Sequence, residues 1–167
     1  FTTGALTAGS HTVEIRATDT AGNVETAPVG RSFSVDTQAP TVNITSGPAG
    51  LTNDSTPSFA FEASESSTFQ CKVDDGTFAS CSSPYTTSSL ADGAHTVKVM
   101  ATDAAGNDSA VASREFTVDT TPPSVTITSG PEAKITATTA TIEFSGSEDG
   151  STFECSFDGG SFAACTS

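Results

Sequence analysis

The stretch "HTVKVMATDAAGN" at residues 95–107 decides how the chain is read. Val97, Val99 and Ala101 fall on one parity, and Lys98, Met100 and Thr102 on the other. That alternation is a β-strand with one face toward a core and one toward water. It runs straight into Asp103-Ala-Ala-Gly-Asn107, where an Asp can accept backbone N–H groups and Gly and Asn tolerate left-handed backbone. The same phrase stands at residues 11–23 as "HTVEIRATDTAGN", with Val13, Ile15 and Ala17 against Glu14, Arg16 and Thr18.

The repetition extends along the whole chain. His11 maps to His95 and Cys71 to Cys155, each 84 residues on, and Phe33 maps to Phe116, 83 on. "SVDTQAPTVNITSGP" at 34–48 returns as "TVDTTPPSVTITSGP" at 117–131. The unit is about 84 residues, so the 167 residues hold two periods less one residue. The frame does not start at a unit boundary. The end "CTS" followed by the start "FTTGAL" reads like the internal "CSSPYTTSSL" at 81–90, lacking only a Pro like Pro84. With no initiating Met, the chain reads as an excerpt of something longer. The expected division is 1–37 as the C-terminal half of a repeat (strands E to G), 38–120 as a complete repeat, and 121–167 as the N-terminal half of the next (strands A to C′). Either the halves are cut from a continuous array, or the front half of one molecule pairs with the back half of another, head to tail. Long arrays are the usual origin of such repeats, which favours the first.

Further strands are expected around Val42 and Ile44, Phe59 and Phe61, Phe69 to Val73, Phe78 to Cys81, Pro84 to Ser88, and Phe116 and Val118. Seven short strands per unit with turn residues between them give an all-β chain of tandem sandwiches of the immunoglobulin or fibronectin III type. An open barrel is the alternative architecture. "VDDGTF" and "FDGGSF" are hairpin signals, with Asp-Gly or Gly-Gly supplying positive φ. Cys71 and Cys81 flank the first hairpin, Cys155 and Cys165 the second, each pair ten apart. No Cys-x-x-Cys occurs, so two local disulfides in an oxidising, extracellular setting fit better than zinc; reduced structural thiols are the competing reading.

Composition narrows the function. There are 6 Lys plus Arg against 20 Asp plus Glu, a formal charge of −14, which disfavours nucleic acid and acidic membrane surfaces as partners. No apolar run is long enough to span a bilayer. No Gly-x-Ser-x-Gly, phosphate-binding Gly loop or opposed carboxylate pair is present, so no enzyme is expected. His11 and His95 read as structural strand-end residues. Asn43, Asn53 and Asn107 each match the glycan acceptor pattern, which is short and common.

"ATDTAGN…FSVDTQAP" and "ATDAAGN…FTVDTTPP" resemble the bacterial immunoglobulin-like repeats of giant surface adhesins and related extracellular proteins. The likeness covers the whole chain and implies modules stacked end to end as stalks, some with calcium at module junctions. The hairpin Cys pair departs from many such repeats.

Sandwich topology independently brings the F–G loop, Asp103 to Asn107, near the linker Asp36-Thr-Gln-Ala-Pro40, with the B–C loop carrying Glu62 and Glu65 close by. Calcium takes six to eight hard oxygens. Asp36, Glu65, Asp103 and Asn107 are therefore candidate calcium ligands at one complete junction. Asp19 and Asn23 are the equivalents at the junction before, and Asp119, with Glu148, at the one after. The competing explanation is that Asp-x-x-Gly-Asn is simply a good turn. The expected function is a non-enzymatic extracellular or cell-surface stalk or fibre module whose partners are neighbouring repeats. A glycan- or protein-binding module and an accessory region of a secreted enzyme are the alternatives.

Overall fold

A computed structural model describes all residues from Phe1 to Ser167. It is all-β, with fourteen strands and no helix. The chain packs as two units, Phe1–Asp119 and Thr120–Ser167. Each is described by itself.

The first unit opens with β1 (Gly9–Ile15) and β2 (Val29–Val35), an antiparallel hairpin that places His11 opposite Phe33. There follow β3 (Val42–Ser46), β4 (Leu51–Thr52), β5 (Ser58–Ala63), β6 (Ser67–Val73), β7 (Ala79–Cys81), β8 (Tyr85–Thr86), β9 (Gly93–Asp103) and β10 (Ala112–Val118). They form two sheets, β3-β5-β8 and β4-β10-β9-β6-β7. Ile44, Phe59 and Phe61 from the first sheet and Cys71, Val97, Val99, Phe116 and Val118 from the second make one core. This is a sandwich, not an open barrel. The period-two pattern of β9 explains the assignment: Val97, Val99 and Ala101 are fully buried. Phe59, also fully buried, stacks at 5.1 Å on Phe116 across the sheets. Burying one such side chain stabilises the fold by about 1.5–3 kcal/mol.

Between residues 38 and 120 the structure has eight strand segments where seven are expected, because the first strand is divided. β3 pairs with β5 in one sheet, and β4 runs parallel to β10 in the other. Gly47 and Pro48 make the break. Gly47 has φ +121°, and a Cβ there would lie 2.3 Å from the Phe59 ring. Arg114 on β10 fastens the crossing from the other sheet: its Nη2 donates to the Ile44 carbonyl at 2.7 Å and its Nη1 to the Gly47 carbonyl at 3.1 Å.

Three local expectations are corrected. The strand E segment expected in residues 1–37 does not form, since residues 1–8 are not strand. Its counterpart Tyr85–Thr86 is held by pairing with Ser58 and Phe59, and residues 1–8 lack such a partner. Glu62 lies within β5, opposite Asn43, rather than in the loop after it. In the β6–β7 hairpin the left-handed residue is Asp74, at φ 51°, not the Asp-Gly pair that follows. That conformation lets the Asp74 carboxylate reach β9: Oδ1 accepts the Thr96 N–H, and Oδ2 lies 2.8 Å from His95 Nδ1. Cys71 and Cys81 are disulfide-bonded across the hairpin, with Cα atoms 5.8 Å apart.

The second unit contains β11 (Val125–Ser129) paired with β12 (Glu143–Gly146), and β13 (Phe153–Cys155) paired with β14 (Ala163–Cys165). The Cys155–Cys165 disulfide spans the second pair. Phe144 and Phe153 meet edge-on at 5.0 Å. Much of the apolar face is open: Val125, Ile127, Phe157 and Phe162 are exposed.

Candidate functional site at the linker and the β9–β10 loop

The inward parity of β9 continues past Ala101 to Asp103, the last residue of the strand, which is only 8 % exposed. Its Oδ1 accepts three backbone N–H groups, from Ala105, Gly106 and Asn107, each at 2.8 Å. Its Oδ2 accepts the Asn107 side-chain Nδ2–H at 2.8 Å. Gly106 takes φ +94°, the left-handed conformation that brings these N–H groups round onto one oxygen. The side-chain hydrogen bond from Asn107 is the largest cause of a lowered Asp103 pKa; the loop N–H groups add to it and outweigh burial, which acts the other way.

Asn107 also ties the loop to the linker, donating from Nδ2 to the Asp36 carbonyl at 3.3 Å. Asp36, just after β2, accepts the Gln38 N–H on Oδ1 at 3.0 Å and so shapes the bend toward Pro40. Glu65 follows β5, and its carbonyl accepts the Ser67 hydroxyl. These segments bring carboxylate oxygens of Asp36, Glu65 and Asp103 within 4.8 Å of one another. Oxygens bound to a single calcium at about 2.3–2.6 Å can stand up to about 5 Å apart, so this spread fits one coordination sphere. No Lys or Arg forms a salt bridge with any of the three.

Asn107 presents its amide nitrogen to Asp36 and Asp103, so in this geometry it braces the loop. That nitrogen is also the atom a glycan would occupy. Asp19 and Asn23 build the same turn on the β1–β2 hairpin: Oδ1 of Asp19 accepts the Ala21 and Asn23 N–H groups, and Oδ2 accepts Asn23 Nδ2–H at 2.7 Å. Both residues lie outside the three-carboxylate cluster, as do Glu62, Asp119 and Glu148. Asp119 donates its N–H to the Thr52 carbonyl, and the Glu148 carbonyl accepts from Ser151.

Two structural contacts escape a reading by motif. His95 clamps the Asp74 hairpin, and Arg114 clamps the β3–β4 crossing. The available signal is repetition: His11 and Arg31 stand at the equivalent positions in a chain with only 6 Lys plus Arg.

Two packed sheets, a first strand shared between them and loops clustered at one end define an immunoglobulin-like domain. Residues 43–120 match the family model described as a bacterial Ig-like domain. Residues 1–59 match that described as a bacterial Ig-like domain (group 3). Together the two matches span residues 1–120 and support a bacterial Ig-like domain there. No curated protein matches the chain.

Proposed function

We propose that this chain is a stretch of an extracellular structural array, a stalk or fibre of adhesin-like type, built from repeats of about 84 residues, with 38–120 a complete repeat, 1–37 the C-terminal half of one and 121–167 the N-terminal half of another. Its work is mechanical rather than catalytic. The bacterial Ig-like match and the two disulfides support an extracellular module. One observation carries the mechanical reading: the linker does not swing free of the sandwich but is held to the β9–β10 loop by Asn107 Nδ2 on the Asp36 carbonyl. A connector tied to the module behind it, with Pro40 buried at its end, resists bending where two modules meet.

Calcium stiffens that joint in this reading. Asp36, Glu65 and Asp103 would hold the ion, the linker supplying one carboxylate and the sandwich two, with water completing the shell. Binding would remove the mutual repulsion of three carboxylates and lock the connector to the loop. The turn alone accounts for Asp103 and Asn107; it gives no reason for Glu65 to converge on them.

The test is a thermal melt with 10 mM calcium and then with chelator. Affinities of about 0.1–1 mM, usual for extracellular modules, predict stabilisation of about 1.4–2.7 kcal/mol. The D36N/E65Q double variant should lose that response while folding normally. A midpoint indifferent to calcium would remove the ion and leave the hydrogen-bonded turn as the joint.

A further inference from the structure

We propose that the outer face of β6 and β9, centred on Lys72 and Lys98, is a binding site for the carboxylate groups of an acidic sugar. These are the two lysines of the first unit, and they stand directly opposite each other in the β6–β9 register. The chain has 20 Asp plus Glu and only 6 Lys plus Arg, so this doublet is an exception on an acidic surface.

Strand parity puts both side chains on the wet face of the sheet. Cys71, Val97 and Val99, next to them in sequence, are buried, while the lysines are half-buried. Directly opposite residues of an antiparallel pair hold their Cβ atoms about 4.5–5.5 Å apart, close enough for like charges to repel. Neither lysine is relieved by a salt bridge; the structure's salt bridge joins His95 and Asp74. Asp74 is committed to that ring and to the Thr96 N–H. Glu115 stands opposite Thr96 rather than Lys98. An anion between the two ammonium groups would replace their repulsion with two charge-assisted hydrogen bonds.

The fold does not ask for lysine at either place. Carried through the repeat, Lys72 corresponds to Ser156 and Lys98 to Glu14, although the apolar, Cys and turn residues around them recur. The sandwich therefore keeps a like-charge pair that the equivalent strands do without.

The surroundings select the class of ligand. Ser113 faces Lys98 from β10, and the next row of the same face holds Met100, Gln70 and Ser80. Gln70, Ser80 and Ser113 are exposed and set neutral donors and acceptors beside the cations, as a ring with several hydroxyls requires. Lys72 Nζ lies 5.2 Å over the Phe78 ring, which steadies its stem and lowers the ordering cost of binding. The charge of −14 limits the size of the anion. The Debye length at physiological salt is about 8 Å, so the doublet acts locally. A nucleic acid or an anionic bilayer would press its further charges against the acidic surface around the doublet, whereas a short sugar would not.

Digalacturonate is the probe, with its dimethyl ester as the uncharged control. Amide proton–nitrogen correlation spectra of the 167-residue chain, titrated in calcium-free buffer, should show saturable shifts confined to β6, β9 and the adjoining part of β10. The ester should shift nothing, and at about 1 M NaCl, where the Debye length is about 3 Å, binding should fade. K72S/K98E carries the residues of the repeat-equivalent positions and should weaken binding by about tenfold or more with the melting midpoint held. The proposal is overturned by no shift with digalacturonate, by shifts centred elsewhere, by equal binding of the ester, or by full binding to K72S/K98E. The wild-type shift map decides the matter even if the variant folds poorly. Calcium-free buffer separates this test from the ion at the linker, so either reading can fail alone.

Discussion

His95 is the residue at which pH enters the stability of the sandwich. Both ring nitrogens face acceptors, Nδ1 the Asp74 carboxylate at 2.8 Å and Nε2 the Ala91 carbonyl at 2.9 Å, so the doubly protonated ring satisfies both. The Asp74 hydrogen bond is the main reason its pKa is raised, with the Ala91 contact second and burial opposing. A raised folded pKa means that the stabilisation is complete below the unfolded value of about 6.5 and is lost as pH rises through the folded value. The sign is opposite for Asp19 and Asp103, whose pKa values are lowered first of all by the Asn23 and Asn107 side chains. Their contribution is present above about pH 4 and lost as pH falls through the folded values. Urea unfolding of the wild type should therefore weaken at both ends of the range from pH 3 to pH 9. H95Q should flatten the upper end and leave in place the part of the acid limb that Asp19 and Asp103 contribute. An upper limb that survives in H95Q would assign it elsewhere.

At the scale of elements, the first strand crosses between sheets only because residue 47 has no side chain. G47A would force a left-handed backbone on an L-residue and drive its Cβ into the Phe59 ring. It should cost about 3 kcal/mol or more, measured as a fall in unfolding midpoint. G130A, at the matching position of the second unit, is a milder change, since its Cβ would meet only Ile142 Cδ1, at 3.3 Å. The β6–β7 hairpin carries the other local constraint. The Cys71–Cys81 bond closes a ten-residue separation, worth about 2.5–3 kcal/mol on the chain-entropy model. Loss of that amount in C71A/C81A, with no change in the far-UV spectrum, would show the bridge supplementing a small core rather than creating the hairpin.

For the whole molecule, stiffness is decided at the linker. The linker is held by one hydrogen bond from Asn107 and flanked by three carboxylates, so its stiffness is set by local polar chemistry and by any cation it gathers. Calcium should thus raise the melting midpoint of the first unit.

By itself the sequence determined the strands, their inward parity, the two disulfide pairs and the period. Each of these follows from local alternation, turn chemistry or repetition at fixed spacing. Val97, Val99 and Ala101 could be placed in the core because a strand has only two faces. The tertiary structure decided what depends on distant segments meeting. Glu65 converges on Asp36 and Asp103 while Glu62 does not, because β5 extends one residue past Glu62 in its pairing with β3. Residues 1–8 form no strand although their sequence parallels that of β8, whose strand state rests on pairing with Ser58 and Phe59. Asp74, rather than the glycine after it, turns left-handed because Thr96 and His95 wait on the neighbouring strand to receive its carboxylate. Periodicity records which face a residue points to; only packing of the sheets records whom it meets there.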